Sequence, residues 1–337
     1  MATEFLDFSG IANPLGTPVS FAAALEDPAL SQTPSCTIES IVERDYGLAA
    51  GSVLVGGAAA DLLVHVMRAF RPCTVALPAP IRCEHAASAR AAGHSLARLS
   101  SPTGFVVPDP SYAGRCGDVF DAAILANPSY PTSRLLSKPT LLSYLDVCEW
   151  VVVDERSIEL SMGGETMAPL SKERRNLLVL QSLDESFALE KTPVSFVVAH
   201  PQTIARIRLA CGDATKPPYA DALGQAACDE RAHLDVAREC LETEIPWMQC
   251  MLNLVPGVHI FPAEANYVLC LFDAGPDLRL GVSCAEELVE RLGAAGFAVH
   301  RFVDTPPLDA RFFCVAIRTR DENARLVSAL RAVVGGC

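Results

Sequence analysis

The chain has 337 residues, of which 50% are hydrophobic, and a net charge of −13 from 27 basic and 40 acidic residues. That length is enough for two modest domains that share a core. The acidity argues against nucleic acid or an anionic membrane as the main partner. No apolar run is long enough to predict a membrane span, and the first residues lack the basic-then-apolar order of a signal peptide. We therefore expect a cytoplasmic protein.

The 13 cysteines are scattered singly, with no Cys-x-x-Cys pair and no His/Cys cluster at zinc spacing. In a chain of this size, such cysteines are typical of a reduced compartment, where they serve as small apolar core residues. We expect neither a disulfide framework nor a metal site.

Proline and glycine are dense in residues 1–40, which predicts an irregular N-terminal arm. Residues 41–225 then alternate short apolar runs with helical patterns. Continuous Val/Leu strands between helices indicate a mainly parallel sheet covered on both faces, and so a three-layer α/β large domain. The predicted strands are 52–55, 74–77, 122–125, 150–153 and 177–180; the predicted helices are 37–46, one ending at Phe70, 83–92 and 140–148.

Residues 226–337 have a different pattern, which predicts a smaller α+β C-terminal domain with hairpin-like strands. A long helical region at about 222–254 spans its beginning. Strands are predicted at 259–261, 266–270, 297–299 and 312–317, with helices at 285–295 and 320–334.

Polar residues and glycines follow several strands of the predicted large domain. Ligands bind at the carboxyl ends of the strands in parallel sheets, which makes these positions candidates for a binding site. They are Gly56, Gly57, Asn127, Asp154 and Ser182.

A series of short motifs runs from one end of the chain to the other: Asp7-Phe8-Ser9, Asn13-Pro14-Leu15-Gly16, Val55-Gly56-Gly57, Asn127-Pro128, Asp154-Glu155, Ser182-Leu183 and Asn266. In this order and spacing the chain resembles the fold-type-I pyridoxal-phosphate aminotransferases, and among them histidinol-phosphate aminotransferase and threonine-phosphate decarboxylase. The resemblance covers roughly residues 6 to 335. It implies a fold-type-I aminotransferase-like large domain, an N-terminal arm that joins the small domain and the dimer contact, and a homodimer.

The segment Ser182-Leu183-Asp184-Glu185-Ser186-Phe187-Ala188-Leu189 resembles the family signature that contains the catalytic lysine. The resemblance places Glu185 at the position of that lysine, and a carboxylate cannot form an imine. The resemblance implies that further cofactor and substrate contacts are replaced as well, at Ala58, Arg82, Tyr130, Ser157, Pro193, Cys314 and near Thr33.

Some cofactor positions of the family are retained. The resemblance implies that Asp154 pairs with the pyridine nitrogen and that Ser182 helps to hold the phosphate, near the backbone of Gly56 and Gly57; alternatively Asp154 caps the next turn. We nevertheless predict that no cofactor binds. Pyridoxal phosphate would bind only non-covalently or through Lys191. The simpler interpretation of Lys191 is a solvated lysine in a loop.

The replacements predict a rebuilt pocket. Arg82 would grip a carboxylate or phosphate at two points. Asp154 and Glu185 would form an acid/base pair, because two carboxylates in a dry site raise the pKa of one of them. The candidates for substrate binding are Arg82, Tyr130, Ser157, Ser182, Asn127 and Arg318, the last as a substitute for the arginine lost at Cys314.

Simpler interpretations stay open. Arg82 and Glu185 would form an ion pair that fills an unused cavity. Cys83 and His85 suggest a nucleophile, but residues two apart on a helix point to different faces.

Three functions follow from these alternatives. The first is an enzyme that acts on a small anionic, amino-acid-like metabolite by carboxylate acid/base chemistry. The second is a non-catalytic binding or scaffolding subunit of aminotransferase-like fold. The third is an atypical pyridoxal-phosphate-dependent aminotransferase or decarboxylase. Whether the chain is an enzyme at all is open at this point.

Overall fold

A computed structural model describes residues 5–26, 36–101, 104–115, 119–189, 191–275, 280–302 and 305–335. The predicted replacement near Thr33 lies outside the described residues, as do Cys116 and Cys337. The cysteines within them are free thiols. None of the described helices is long and apolar enough to cross a membrane.

The strands are, in chain order, β1 (Leu6–Phe8), β2 (Val53–Gly56), β3 (Thr74–Ala79), β4 (Ser95–Ser100), β5 (Ala122–Ala126), β6 (Trp150–Asp154), β7 (Leu177–Ser182), β8 (Ser195–Ala199), β9 (Val258–Ile260), β10 (Tyr267–Phe272), β11 (Phe297–Arg301) and β12 (Phe312–Ala316). The helices are α1 (Val19–Glu26), α2 (Ile38–Asp45), α3 (Ala59–Met67), α4 (Cys83–Ala91), α5 (Pro110–Arg115), α6 (Lys138–Val147), α7 (Leu183–Ser186), α8 (Pro201–Cys211), α9 (Ala220–Asp229), α10 (Arg231–Asn253), α11 (Ala285–Ala294) and α12 (Arg320–Gly335).

The first sheet has the strand order β2-β8-β7-β6-β5-β3-β4, and all its pairs are parallel except those of β8. Its central strands are buried on both faces, which explains their continuous Val and Leu runs. One face packs on α3 and α4, and the other packs on α2, α6 and α9. The predicted three-layer α/β fold with a mainly parallel sheet is confirmed.

The second sheet has the order β1-β11-β12-β10-β9 and a hydrophobic core of its own with α10, α11 and α12. Its strands are antiparallel except for β1, which pairs with β11 in parallel. The division of the chain at residues 40 and 225 stays a prediction.

The first 40 residues are more regular than the sequence predicted. Leu6 and Phe8 are buried on either side of an exposed Asp7, so this short alternating run pairs as a strand despite the prolines and glycines around it. The run VSFAAALE lies between prolines and forms α1. The helical region predicted at 222–254 is two helices that divide at Glu230.

Candidate functional site

Four of the predicted site positions lie along one edge of the first sheet. Strands β2, β5, β6 and β7 run in the same direction, so their carboxyl ends meet there. Gly56, Asp154 and Ser182 are the last residues of β2, β6 and β7, and Asn127 follows β5. The sequence correctly placed this edge, as expected for a parallel sheet.

Arg82 and Glu185 form an ion pair at this edge. Arg82 directly precedes α4, and its Nη2 lies 2.9 Å from Oε1 of Glu185 in α7. Ser157 donates its hydroxyl to the other oxygen of Glu185 and accepts a hydrogen bond of 3.4 Å from Arg82. The structure therefore brings together three of the predicted residues. The side chains of Arg82 and Glu185 are 16% and 13% exposed, so the pair is mostly buried.

Tyr130 completes this group as an aromatic platform. The guanidinium carbon of Arg82 lies 4.6 Å from the centre of the Tyr130 ring, within the range of a cation–π contact. Burial raises the pKa of Tyr130, so the phenol stays protonated. Tyr130 also contacts the ring of His300 on β11, whose pKa burial and the nearby Arg82 lower. Sequence reasoning missed His300, because a lone histidine in a short strand carries no pattern.

Asp154 belongs to a separate buried network. Its carboxylate accepts hydrogen bonds from Arg156 Nε at 2.9 Å and Nη2 at 2.7 Å, and it lies 2.7 Å from His85 Nε2. Arg156 also pairs with Glu84. Burial alone would raise the pKa of Asp154, but Arg156 and His85 outweigh it and hold this pKa well below its usual range. Of the predicted acid/base pair, Asp154 is therefore not the carboxylate whose pKa is raised.

The sequence missed Arg156 and undervalued His85. The position of Arg156, two residues after the strand-end Asp154, could have predicted this contact, because the arginine side chain is long enough to turn back and bind the carboxylate. His85 is fully buried and Cys83 is exposed, so they lie on different faces of α4, as the helical spacing predicted.

Two predicted residues have other contacts. Asn127 is buried, and its Oδ1 accepts a hydrogen bond from the backbone N–H of Leu136. Arg318 donates to the backbone oxygen of Asp7 and to the Glu322 carboxylate at 2.7 Å. Within the described part of the chain, neither of them contacts Arg82 or Glu185. The structure therefore does not bring Asn127 and Arg318 into this group.

The edge beside α3 has the features of an anion site. Ser182 and Ser195 are register partners, so their side chains lie on the same face of the sheet, and Gly56 pairs with Ser195 on its other side. Leu180 and Val197, two residues away on the same strands, pack with α3, so this face is the one that α3 covers. Both hydroxyls are buried and have no hydrogen-bond partner among the described residues. Helix α3 begins after Ala58 with no side-chain cap. Its first N–H groups are therefore free to bind an anion.

No protein-family model matches the chain. Threonine-phosphate decarboxylase of Salmonella typhimurium is 25% identical over 348 residues, which cover 99% of this chain and 92% of that protein. The crystal structure of histidinol-phosphate aminotransferase from Clostridium acetobutylicum matches with a TM-score of 0.83 at 19% identity, over 97% of this chain and 98% of that one. L-threonine-O-3-phosphate decarboxylase from Porphyromonas gingivalis matches with a TM-score of 0.82 at 16% identity, with the same coverage.

These matches show that the chain has the fold of the fold-type-I aminotransferases and that its sequence is similar to proteins of that superfamily. The prediction that no cofactor binds is wrong, because these relatives and structural neighbours belong to a superfamily that depends on pyridoxal phosphate. When bound, that group supplies an electron sink for bond cleavage beside an amino group. The unpartnered hydroxyls of Ser182 and Ser195 and the free N–H groups of α3 fit its phosphate.

The covalent linkage of the cofactor does not fit the residues at this edge. Glu185, at the position that the resemblance assigns to the lysine, cannot form an imine and is already bound by Arg82 and Ser157. Lys191 lies in an exposed turn between α7 and β8. Asp154, which the resemblance assigns to the pyridine nitrogen, has two partners within its own chain. The described residues thus fit the phosphate of the group but not its Schiff base.

Proposed function

We propose that this protein is an enzyme of the aminotransferase fold that acts on a small anionic, amino-acid-like metabolite, with Arg82 as the anion anchor. The ion pair between Arg82 and Glu185 carries the proposal. Arg82 is a planar donor stacked on Tyr130, with a carboxylate already bound to it. A ligand carboxylate or phosphate fits the same donor geometry.

In this proposal the ligand anion displaces Glu185 from Arg82. Ser157 still binds the second oxygen of Glu185, so the freed carboxylate stays at the edge of the ligand instead of turning away. It can then accept a proton from the ligand or return one to it, as a general base and acid. Asp154 acts as a fixed negative charge, because Arg156 and His85 keep it ionised.

The names of the relatives support the ligand class. Threonine phosphate and histidinol phosphate, as those names print them, are phosphate esters of small amino compounds. A molecule of this class offers the anion that Arg82 binds. The alternative function predicted from the sequence, a non-catalytic binding or scaffolding subunit, has no comparable support.

A binding and turnover experiment tests the proposal. Inorganic phosphate and O-phosphoserine are titrated into the wild type and into the Arg82→Met and Glu185→Gln variants. We expect Arg82→Met to bind at least tenfold more weakly. Glu185→Gln should bind more tightly, because the internal competitor for Arg82 has lost its charge. In both variants turnover of the amino-acid phosphate should be lost.

The matched control is Arg318→Met, which removes a guanidinium from a position away from this group. It should bind phosphate like the wild type. Equal affinity of Arg82→Met and wild type would overturn the anchor. Full turnover by Glu185→Gln would overturn the acid/base role.

The proposal includes a homodimer, which the resemblance to the family implies. Sedimentation equilibrium would then give a mass near twice that of the 35.9 kDa chain. A mass equal to that of one chain at micromolar concentration would contradict it.

A further inference from the structure

A cavity of about 360 Å3 lies at the carboxyl ends of β6 and β7, under helices α2, α9 and α10. Glu155 lines it, whereas the preceding Asp154 points to His85 on α4. Successive side chains at a strand end point to opposite faces of the sheet. The cavity is thus on the opposite face of the sheet from His85 and α4. Its volume is in the range of pockets that bind small molecules.

Apolar and aromatic side chains form one part of the cavity wall, and charged and polar side chains form the rest. Val42 and Tyr46 line it from the region of α2, Phe187 from the end of α7, and Phe196 from β8. Phe187 and Phe196 belong to the buried core of this face of the sheet. A ligand with an apolar body would bury its surface against this part of the wall.

Glu155 is a buried acid in the wall of the cavity. Its carboxylate accepts hydrogen bonds from the Thr166 hydroxyl, the Met167 backbone N–H and the Gln181 amide. All three donors are neutral, and none of the ion pairs among the described residues includes Glu155. Burial raises the pKa of Glu155 to about 7 in spite of these donors. A buried carboxylate of this kind lacks a positive charge beside it.

The cationic groups around the cavity already have partners. Arg231 pairs with Asp45, and Arg238 pairs with Glu159. Arg156 is bound to Asp154 and Glu84 on the other face of the sheet. None of these pairs supplies a counter-charge to Glu155.

We propose that the cavity binds a small organic cation with an apolar body, such as a primary amine, whose ammonium group pairs with Glu155. An ammonium ion would add the missing charge and donate to the one acceptor position of the carboxylate that its three neutral donors leave. The faces of Tyr46 and Phe187 favour a cation as well. An anionic ligand would instead face a second negative charge in a site of low dielectric constant. This site differs from the Arg82 site in position and in the charge that it selects.

Calorimetric titration of the full chain at pH 8 tests the proposal with three probes of similar shape. These are 2-phenylethylamine, the neutral 2-phenylethanol and the anionic 3-phenylpropionate. We expect the amine to bind at least tenfold more tightly than the other two. Binding of the alcohol or the acid with the affinity of the amine would overturn the proposal.

The pH dependence gives a second readout. The titratable groups nearest to Glu155 in the chain and in its contacts are Tyr46 after α2, and Asp154 and Arg156 at the end of β6. The charged residues Asp45, Glu159, Arg231, Asp235 and Arg238 line the same cavity. Burial raises the pKa of Tyr46, the pKa of Asp154 is held low, and the pKa of Arg156 is raised. Near neutral pH, Tyr46 therefore stays neutral, Asp154 stays negative and Arg156 stays positive. Affinity for the amine should fall up to tenfold per pH unit below pH 7, as Glu155 becomes protonated. A flat profile from pH 5 to 8 would contradict the pairing.

Two variants locate the site. Glu155→Gln should lose at least tenfold in affinity for the amine, while Glu242→Gln, the same change at an exposed position of α10, should bind like the wild type. Ala227→Leu places extra atoms in the cavity and should also weaken binding, which keeps the test valid if Glu155→Gln does not fold. Unchanged affinity in Glu155→Gln, or in Ala227→Leu, would overturn the assignment.

Discussion

Arg156 binds the carboxylate of Asp154 with two of its nitrogens, from a position only two residues further along the chain. Both side chains are almost fully buried, and Glu84 takes up part of the remaining donor capacity of Arg156. A two-point contact of this kind fixes the plane of the carboxylate as well as its charge. Asp154 is therefore held by its own chain before any ligand arrives.

Removal of Arg156 should destabilise the protein strongly. Arg156→Met leaves the buried carboxylate of Asp154 with His85 and the backbone N–H of residue 156 but without its guanidinium partner. Breaking a buried pair in this way costs about 3–5 kcal/mol of the free energy of unfolding. Urea denaturation measures the loss. Arg174→Met is the control, because its pair with Asp146 is exposed and should contribute less than about 1 kcal/mol. Equal losses in the two variants would contradict the prediction.

Glu155 should make the protein less stable as the pH rises. Its pKa in the folded chain is about 7, above the ordinary value of 4.5, so the folded state retains the proton more firmly than the unfolded state does. The stabilisation is complete below pH 4.5 and is lost as the pH rises through 7, with a slope of at most about 1.4 kcal/mol per pH unit. Urea denaturation at several pH values should show this loss in the wild type and a reduced slope in Glu155→Gln. Identical slopes would be inconsistent with the raised pKa.

Two helical glycines should respond in opposite ways to alanine. A Cβ atom at Gly224 in α9 would lie 2.7 Å from the Ile38 Cβ, so Gly224→Ala should cost about 1–3 kcal/mol by overpacking. A Cβ atom at Gly293 in α11 meets nothing among the described residues within 4 Å, and Gly293→Ala should stabilise by about 0.5–1 kcal/mol. Thermal unfolding of both variants checks the signs. A stabilised Gly224→Ala would contradict the packing of α9 on α2.

Arg318 should contribute to stability and not to ligand binding. It joins the start of α12 to the N-terminal strand through the Asp7 backbone oxygen and stacks over the Phe8 ring. Arg318→Ala should cost about 1 kcal/mol in urea denaturation, the contribution of a typical hydrogen bond. Loss of phosphate binding in this variant, at unchanged stability, would restore the role that the sequence suggested.

The large sheet could be predicted because its strands are buried on both faces and therefore are continuous apolar runs. Strand β4 escaped prediction, since Ser95, Arg98 and Ser100 give this edge strand a polar sequence. Strand β8 and helix α8 carry ordinary patterns that the sequence analysis did not use. The residues at the carboxyl ends of the strands were predicted correctly, because parallel strands bring these ends to the same edge of the sheet.

The partners of the site residues were harder to predict. The grouping of Arg82, Glu185 and Ser157 was anticipated from the family positions that they occupy. The contact between His85 and Asp154 joins residues 69 positions apart, and nothing in the polar, alanine-rich sequence of α4 marks the face that carries His85. Glu155 was named only as part of a dipeptide, and its environment depends on β7 and on the segment that contains Thr166.

The pairing of Leu6–Phe8 with Phe297–Val299 has a consequence for how the chain folds during synthesis. The ribosome releases Leu6–Phe8 before the first sheet, whereas its neighbour Phe297–Val299 emerges after every strand of that sheet. The strands of the first sheet lie between Val53 and Ala199, so that sheet can assemble early. Until Phe297–Val299 has been synthesised, Leu6–Phe8 remains without its partner, so chaperones or another unfolded chain can bind it.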